Sequence, residues 1–201
     1  MSLSLNISTD ASWPDSIPTA RDLIVENHHH SKKDTDSVSE HRKEGLQADC
    51  LVITVSDSRT PETDRSGDRM ASLLEQGGHR VAQRLLIPDE PDQIRQAVAD
   101  GVADPSIDAV LTNGGTGIAP RDLTTDVVAA LLDQPLDGFG ELFRSLSFTE
   151  IGSAAMLSRA IGGIAGKTLI FSLPGSTKAV ELGMAKLIVP ELGHLLGLLR
   201  S

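Results

Sequence analysis

The sequence predicts an α/β fold, a three-layer α/β/α arrangement in which helices cover both faces of a mostly parallel sheet. Three observations carry that prediction. Residues 51–55, 81–87, 107–111 and 168–171 are apolar runs of strand length. Stretches with apolar residues at helical spacing separate them, and such alternation is the pattern of parallel sheets. A polar or glycine-rich loop follows each run, at the carboxyl end where open α/β sheets hold their ligands.

Taken in order, residues 1–45 stand outside this pattern. They include Asn27-His28-His29-His30-Ser31-Lys32-Lys33-Asp34, polar and mixed in charge. We expect a largely disordered extension ahead of a domain spanning residues 46–201. Trp13 and the patch Leu23-Ile24-Val25 are suited to docking, and the three adjacent histidines suit either a metal or a solvated polar run.

Residues 51–55 are continuously apolar and β-branched, as in a strand covered on both faces. Cys50 opens this run and is expected as a small buried apolar group. The polar loop 56–67 leads to a helix with Met70, Leu73 and Leu74 on one face, stopped at Gly77-Gly78. Residues 81–87 form the second strand, and Pro88-Asp89-Glu90-Pro91 forms a turn. Ile94, Ala97, Val98, Gly101 and Val102 then fall on one helical stripe. The third strand, at 107–111, runs into a glycine turn. A helix capped by Thr124 or Thr125 follows, carries Val127, Val128, Leu131 and Leu132, and ends at Pro135. Residues 139–148 and 154–161 read as two short helices, and Phe139, Phe143 and Phe148 suit either the core or a subunit contact, with the core the expected use. The strand at 168–171 leads into Ser172-Leu173-Pro174-Gly175-Ser176. A last helix spans about 176–199, bent or split by Pro190.

Acidic residues outnumber basic ones, 28 to 18, for a net charge of −10. That argues against a general nucleic-acid coat, which needs clustered Lys and Arg. One anionic small molecule remains compatible with a locally favourable pocket. The single cysteine rules out an intrachain disulfide and a thiolate metal cluster. No apolar stretch approaches the roughly 20 residues of a membrane span, and no basic region precedes an apolar core near the start. We therefore expect no membrane partner and a cytoplasmic location.

The loop Asn113-Gly114-Gly115-Thr116-Gly117-Ile118-Ala119-Pro120-Arg121-Asp122 carries the strongest chemical signal. A glycine-rich turn between strand and helix exposes backbone N–H groups that can hold a phosphate. The same spacing also suits a tight turn that binds nothing. Gly-Lys-Ser/Thr is lacking, so this is not a Walker A loop, and the dinucleotide fingerprint is absent too. No Gly-x-Ser-x-Gly elbow supports nucleophilic hydrolysis. His79 and His194 read as structural. Arg121 offers a phosphate donor, while Asp89 and Asp122 stand on turns at strand ends, where a metal on a polyphosphate would lie. Thr116, Ser158, Ser176, Arg159 and Lys178 are further polar candidates. Transfer between phosphates needs donors, cations and metal-binding carboxylates but no catalytic His or Cys, because the nucleophile is already anionic.

Several motifs in one order now matter together. They are Thr54-Val55-Ser56-Asp57-Ser58-Arg59, Asp64-Arg65-Ser66-Gly67, Gly114-Gly115-Thr116-Gly117 and Pro120-Arg121-Asp122. Gly138-Phe139-Gly140-Glu141-Leu142-Phe143-Arg144, Met156-Leu157-Ser158-Arg159-Ala160 and Leu173-Pro174-Gly175-Ser176 extend the set. Over roughly residues 38–201 the chain closely resembles the MoaB/MogA family of molybdenum cofactor biosynthesis proteins, and the form of the Phe-rich motif resembles the MoaB branch.

The resemblance implies a trimer, or a hexamer in the MoaB branch, that binds molybdopterin. It implies adenylylation, in which the terminal phosphate of molybdopterin attacks the α-phosphate of Mg-ATP and pyrophosphate leaves, with hand-off of the product to a molybdate-insertion protein. Asp89 and Asp122 match the family's two Mg²⁺-holding acids, and Ser158 matches its third catalytic position. The resemblance places the substrates against Ser56, Asp57, Ser66, Gly67, Gly114, Gly115, Thr116, Gly117, Arg121, Pro174, Gly175 and Ser176. Asn113 departs from the small residue often found there and is expected to add a donor to the pocket. Some MoaB-branch members lack both acids. This chain retains them, which favours an enzyme over a scaffold that holds molybdopterin without catalysis.

Overall fold

Period-two alternation along the strands decides how the layers assemble. The computed structural model describes residues 46–201; Trp13, the 23–25 patch and the histidine run lie outside the described residues. In β1 (Asp49–Val55), Cys50 and Val52 enter one hydrophobic cluster, while Leu51, Ile53 and Val55 enter another on the opposite face. In β3 (Ala109–Asn113) and β6 (Thr168–Leu173), Leu111, Leu169, Phe171 and Leu173 join the first cluster, and Val110 and Ile170 join the second. Strands buried on both faces need helices on both faces.

Those helices are present. α1 (Arg65–Gln76), α4 (Asp137–Ile151), α5 (Thr177–Gly183) and α6 (Val189–Arg200) supply Met70, Phe143, Val180 and Leu192 to the first cluster. α2 (Pro91–Ala103) and α3 (Thr124–Ala129) supply Ile94, Val98, Val127 and Val128 to the second. With β2 (Arg80–Ile87), β4 (Gln134–Pro135) and β5 (Ile161–Ala165), the described residues form a six-stranded sheet of order β2-β1-β3-β6-β5-β4. The first four strands run parallel, whereas β5 is antiparallel to both β6 and β4. The fold class is the one expected.

Four local readings need correction. β3 begins two residues later than expected and extends to Asn113. The helix expected over 154–161 is a 3₁₀ turn, Gly152–Leu157, followed by strand β5. Gly162 and Gly163 hide that strand from propensity. A side chain on Gly162 would sit 2.7 Å from Phe171 Cδ1, and one on Gly163 would sit 2.7 Å from Gln134 O. Packing thus imposes glycine in a strand, which propensity alone disfavours. α3 ends at Ala129 without help from Pro135, which lies in β4, and neither Thr124 nor Thr125 caps it: the preceding residue is Leu123 and no side chain caps the end. Phe139 and Phe143 are core residues, but Phe148 is 62% exposed.

The expected break at Pro190 takes a definite form. A π-helical turn, Met184–Ile188, joins α5 to α6, and the Val189 N–H donates to Met184 O. Proline has no N–H to give and its ring crowds the preceding turn; widening that turn accommodates both. Thr177–Arg200 is, among the described residues, the one helix long and apolar enough to cross a membrane. Here Val180, Met184, Ile188, Leu192 and Leu196 line its buried side in the core.

His79 ties the far end of the sheet together. Its Nδ1 accepts the Ala48 N–H at 3.2 Å, and the ring is also hydrogen-bonded to the Val189 backbone. Burial lowers its pKa below the ordinary histidine value, the Val189 bond opposing in part. A histidine that resists protonation when folded but not when unfolded costs stability in acid. The urea midpoint of the protein should therefore fall as pH drops below about 6.5, and His79→Gln should flatten that fall. A slope unchanged by the substitution would refute this account.

Candidate active site

Parallel pairing brings the carboxyl ends of β1, β2, β3 and β6 to one edge of the sheet. Backbone bonds then knit their loops. Ser56 N–H donates to Ile87 O at 2.9 Å, and Gly114 N–H donates to Leu173 O at 3.2 Å. The segments 56–67, 88–91, 112–122 and 172–178 converge there, as expected.

The glycine turn is shaped by two residues with positive φ, Gly114 at 97° and Gly115 at 60°. A side chain on Gly114 would lie 2.2 Å from Val55 O, and one on Gly115 would lie 2.1 Å from Thr124 Oγ1. No other residue fits both the angle and the space. The N–H groups of Gly115, Thr116 and Gly117 donate to none of the described residues, which leaves them for an anion.

The two candidate acids meet this turn at neighbouring points. The carboxylate of Asp89 packs on Gly115, and that of Asp122 packs on Gly117. Asp122 Oδ2 accepts the Ala119 N–H at 3.0 Å. Asp89 Oδ1 is buried and accepts no hydrogen bond. Burial raises the Asp89 pKa above the ordinary carboxylate value, and the charges of Asp122 and Asp57 add to the rise while Arg121 opposes it. A second acid nearby and an orphaned buried oxygen are the marks of a site that wants a cation.

Arg121 does not stand free. Its Nη2 donates to Asp57 Oδ2 at 2.6 Å, while Asp57 Oδ1 accepts the Asp89 N–H at 3.0 Å. Arg159 is also committed. It reaches Gly117 O at 3.4 Å and Asp122 O at 3.3 Å, and it pairs with Asp126. It therefore braces the glycine loop. Ser158, half-buried, precedes Arg159 in the chain, and no hydrogen bond joins its hydroxyl to either acid. Ser56 Oγ accepts the Ser58 N–H at 3.3 Å, and Ser176 Oγ caps α5 by accepting the Ala179 N–H at 3.2 Å. Thr116 is buried, whereas Lys178 and Ser176 are exposed. Gly175, after Pro174, lies directly against the glycine turn, packed on the Gly114 backbone.

Beneath the loops lies a buried polar layer that the sequence reading did not assign. Asp64 accepts the Gly67 N–H at 3.0 Å and the Thr54 hydroxyl at 2.7 Å. Asn113, expected to point a donor into the pocket, is instead fully buried. It donates to Thr54 Oγ1 at 2.9 Å and accepts from Ser66 Oγ at 2.7 Å. Arg59 joins this layer through Ser66 and Asp64 and donates to Gly175 O at 2.7 Å. Ser66 and Gly67 thus belong to the framework under the site. Part of this was readable: Asp64 stands three residues before Gly67, the spacing of a helix N-cap.

Comparison with known proteins decides the lineage. Residues 51–194 match the family described as "Probable molybdopterin binding domain". The chain belongs to this molybdopterin-binding family. A molybdenum cofactor biosynthesis protein B from Bacillus cereus is 52% identical over 161 residues, which are 79% of this chain and 95% of that protein. A crystal structure of a molybdenum cofactor biosynthesis protein B superposes with a TM-score of 0.76 at 51% identity, covering 78% of this chain and 98% of the other. The tungsten cofactor synthesizing protein MoaB from Pyrococcus furiosus gives 0.69 at 35% identity, covering 77% and 98%. The domain of molybdopterin-binding type and a place in molybdenum cofactor biosynthesis follow for this chain.

Proposed function

We propose that the protein is a molybdopterin adenylyltransferase. The observation that carries the reading is the pairing of Asp89, with its buried and unpartnered Oδ1, and Asp122 on adjacent points of a turn whose amides lack partners. Molybdopterin ends in a phosphate monoester, largely dianionic at neutral pH. One of its oxygens attacks the α-phosphorus of ATP. A P–O bond forms, the bond to the β-phosphate breaks, and pyrophosphate leaves with the electron pair. No base is needed, so the chain's task is to position two anions and neutralise their charge.

Asp89 and Asp122 would hold Mg²⁺, which would supply positive charge to offset that of the phosphates. Among the described residues no cluster of three His, Cys, Asp or Glu forms a metal cage. Mg²⁺ would need only one or two carboxylates from the chain, the rest of its shell being water and phosphate. The amides of Gly115 to Gly117 cradle the phosphates, Arg121 adds charge, and Ser158 and the Pro174–Ser176 wall contact substrate. Incubation with molybdopterin, Mg²⁺ and ATP should release pyrophosphate. No release, under conditions where an active relative works, would overturn the reading and leave a molybdopterin-holding scaffold that passes its cargo to a molybdate-insertion partner.

We further propose that the protein assembles with copies of itself, as a trimer or hexamer, through α4 and the turn after it. Leu142, Phe148, Ile151, Met156 and Leu157 are all more than half exposed there, and Phe148 and Met156 line one shallow cleft. Such a concentration on one segment marks an interface. Phe148→Glu should shift the mass measured by light scattering to that of a monomer. A monomeric wild type would sink the proposal.

A further inference from the structure

We infer that Asp57 is a positioning residue that sets the backbone of Asp89 and holds Arg121 in reserve for a polyphosphate. This deepens the adenylylation reading and rests on it. Asp57 lies in the loop after β1, yet its two oxygens serve two other loops. Oδ1 accepts the Asp89 N–H at 3.0 Å, and Oδ2 accepts Arg121 Nη2 at 2.6 Å. A carboxylate engaged by two neighbouring loops in this way braces them. Its negative charge would repel a phosphate directly. What it supplies is geometry on one side and a releasable cation on the other.

The two bonds differ in how easily they give way. The bond to the Asp89 amide fixes the turn that aims the buried Oδ1. The pair with Arg121 is exposed, with 66% of the Arg121 side chain and 45% of the Asp57 side chain accessible. Water weakens such a pair. A triphosphate entering the glycine turn carries more negative charge than Asp57 and accepts bidentate bonds from guanidinium. Arg121 therefore exchanges Asp57 for phosphate when substrate arrives, while the Asp89 turn stays fixed.

Two substitutions separate these roles in the full-length chain. Asp57→Ala removes both acceptors. Asp57→Asn keeps an oxygen for the Asp89 N–H and loses the charge that holds Arg121. Amide hydrogen exchange at Asp89 should speed up about tenfold in Asp57→Ala, the scale of one charge-assisted hydrogen bond, and stay near wild type in Asp57→Asn. Calorimetry with inorganic tripolyphosphate and Mg²⁺ should show Asp57→Asn binding more tightly than wild type, and Arg121→Gln should abolish the gain. Unchanged exchange in Asp57→Ala overturns the role at Asp89. A gain that persists without Arg121, or no binding in either wild type or Asp57→Asn, overturns the role at Arg121. If tripolyphosphate binds but ATP and molybdopterin yield no pyrophosphate, adenylylation falls while the positioning role stands.

Discussion

Asp89→Asn is expected to abolish pyrophosphate release and to raise the melting temperature at neutral pH. The two effects share one cause. Burial and the neighbouring charges of Asp122 and Asp57 raise the Asp89 pKa, so the ionised form is held at a cost. A carboxyl with a raised folded-state value favours the fold at low pH, and this contribution is lost as pH rises through that value. The amide removes the penalty, so the stability gain should be present at pH 7 and vanish below about pH 4, where the unfolded carboxyl is itself protonated. Removing one preorganised electrostatic contact typically costs about 10²–10³ in rate, and the loss of a metal ligand should cost at least that. Steady-state assays and thermal unfolding of the same variant test both halves. Retained activity, or a melting temperature that falls at pH 7, would contradict the assignment. Asp122→Ala should lose activity comparably while molybdopterin binding persists.

The second large effect is expected from Asp64→Ala, and it concerns stability. Asp64 is 3% exposed and accepts from Thr54 Oγ1, Gly67 N–H, Ser66 Oγ and Arg59. Arg84 approaches it at 3.5 Å. The substitution removes an N-cap and leaves the Arg59 guanidinium without its acid. With 27% of the Arg59 side chain accessible, losing the cap, the buried acceptor and this partly solvated pair together costs about 3 kcal/mol. For a domain of this size that corresponds to a fall of about 10 °C in melting temperature. Arg59 also anchors Gly175 O, so one wall of the site should loosen with it. A loss under about 1 kcal/mol, the scale of a lone cap, would show that the buried layer is not a unit.

Both effects reach through residues that were unevenly legible in the sequence. Asp89 and Asp122 were only suggested by their turns at strand ends, where plain turn formers also stand, and the family resemblance singled them out. The approach of Asp89 to Gly115 could not be read at all, because the two stand on different loops with a whole helix and strand between them. Asn113 was misread because its motif position is on the pocket loop, whereas the strand continues through it and turns its side chain down to Thr54 and Ser66. β5 was missed because helical spacing of apolar residues can be counted along the chain, but the aromatic rings of Phe139 and Phe171, 5.0 Å apart, that demand Gly162 lie elsewhere in it. Ser158 stands next to Arg159, which braces the loop, yet its hydroxyl is not bonded to the acids.

The sequence alone determined the strand and helix alternation, the α/β class and the loops that would meet. These depend on local periodicity and on the rule that parallel strands share a carboxyl edge. Tertiary structure alone decided which polar atoms end up partnered. Asp57 is spent on Asp89 and Arg121, Arg159 on the glycine loop, and Asp89 Oδ1 is left bare. Hydrogen-bond satisfaction depends on distances of a few ångströms between segments remote in sequence, and no local pattern encodes it.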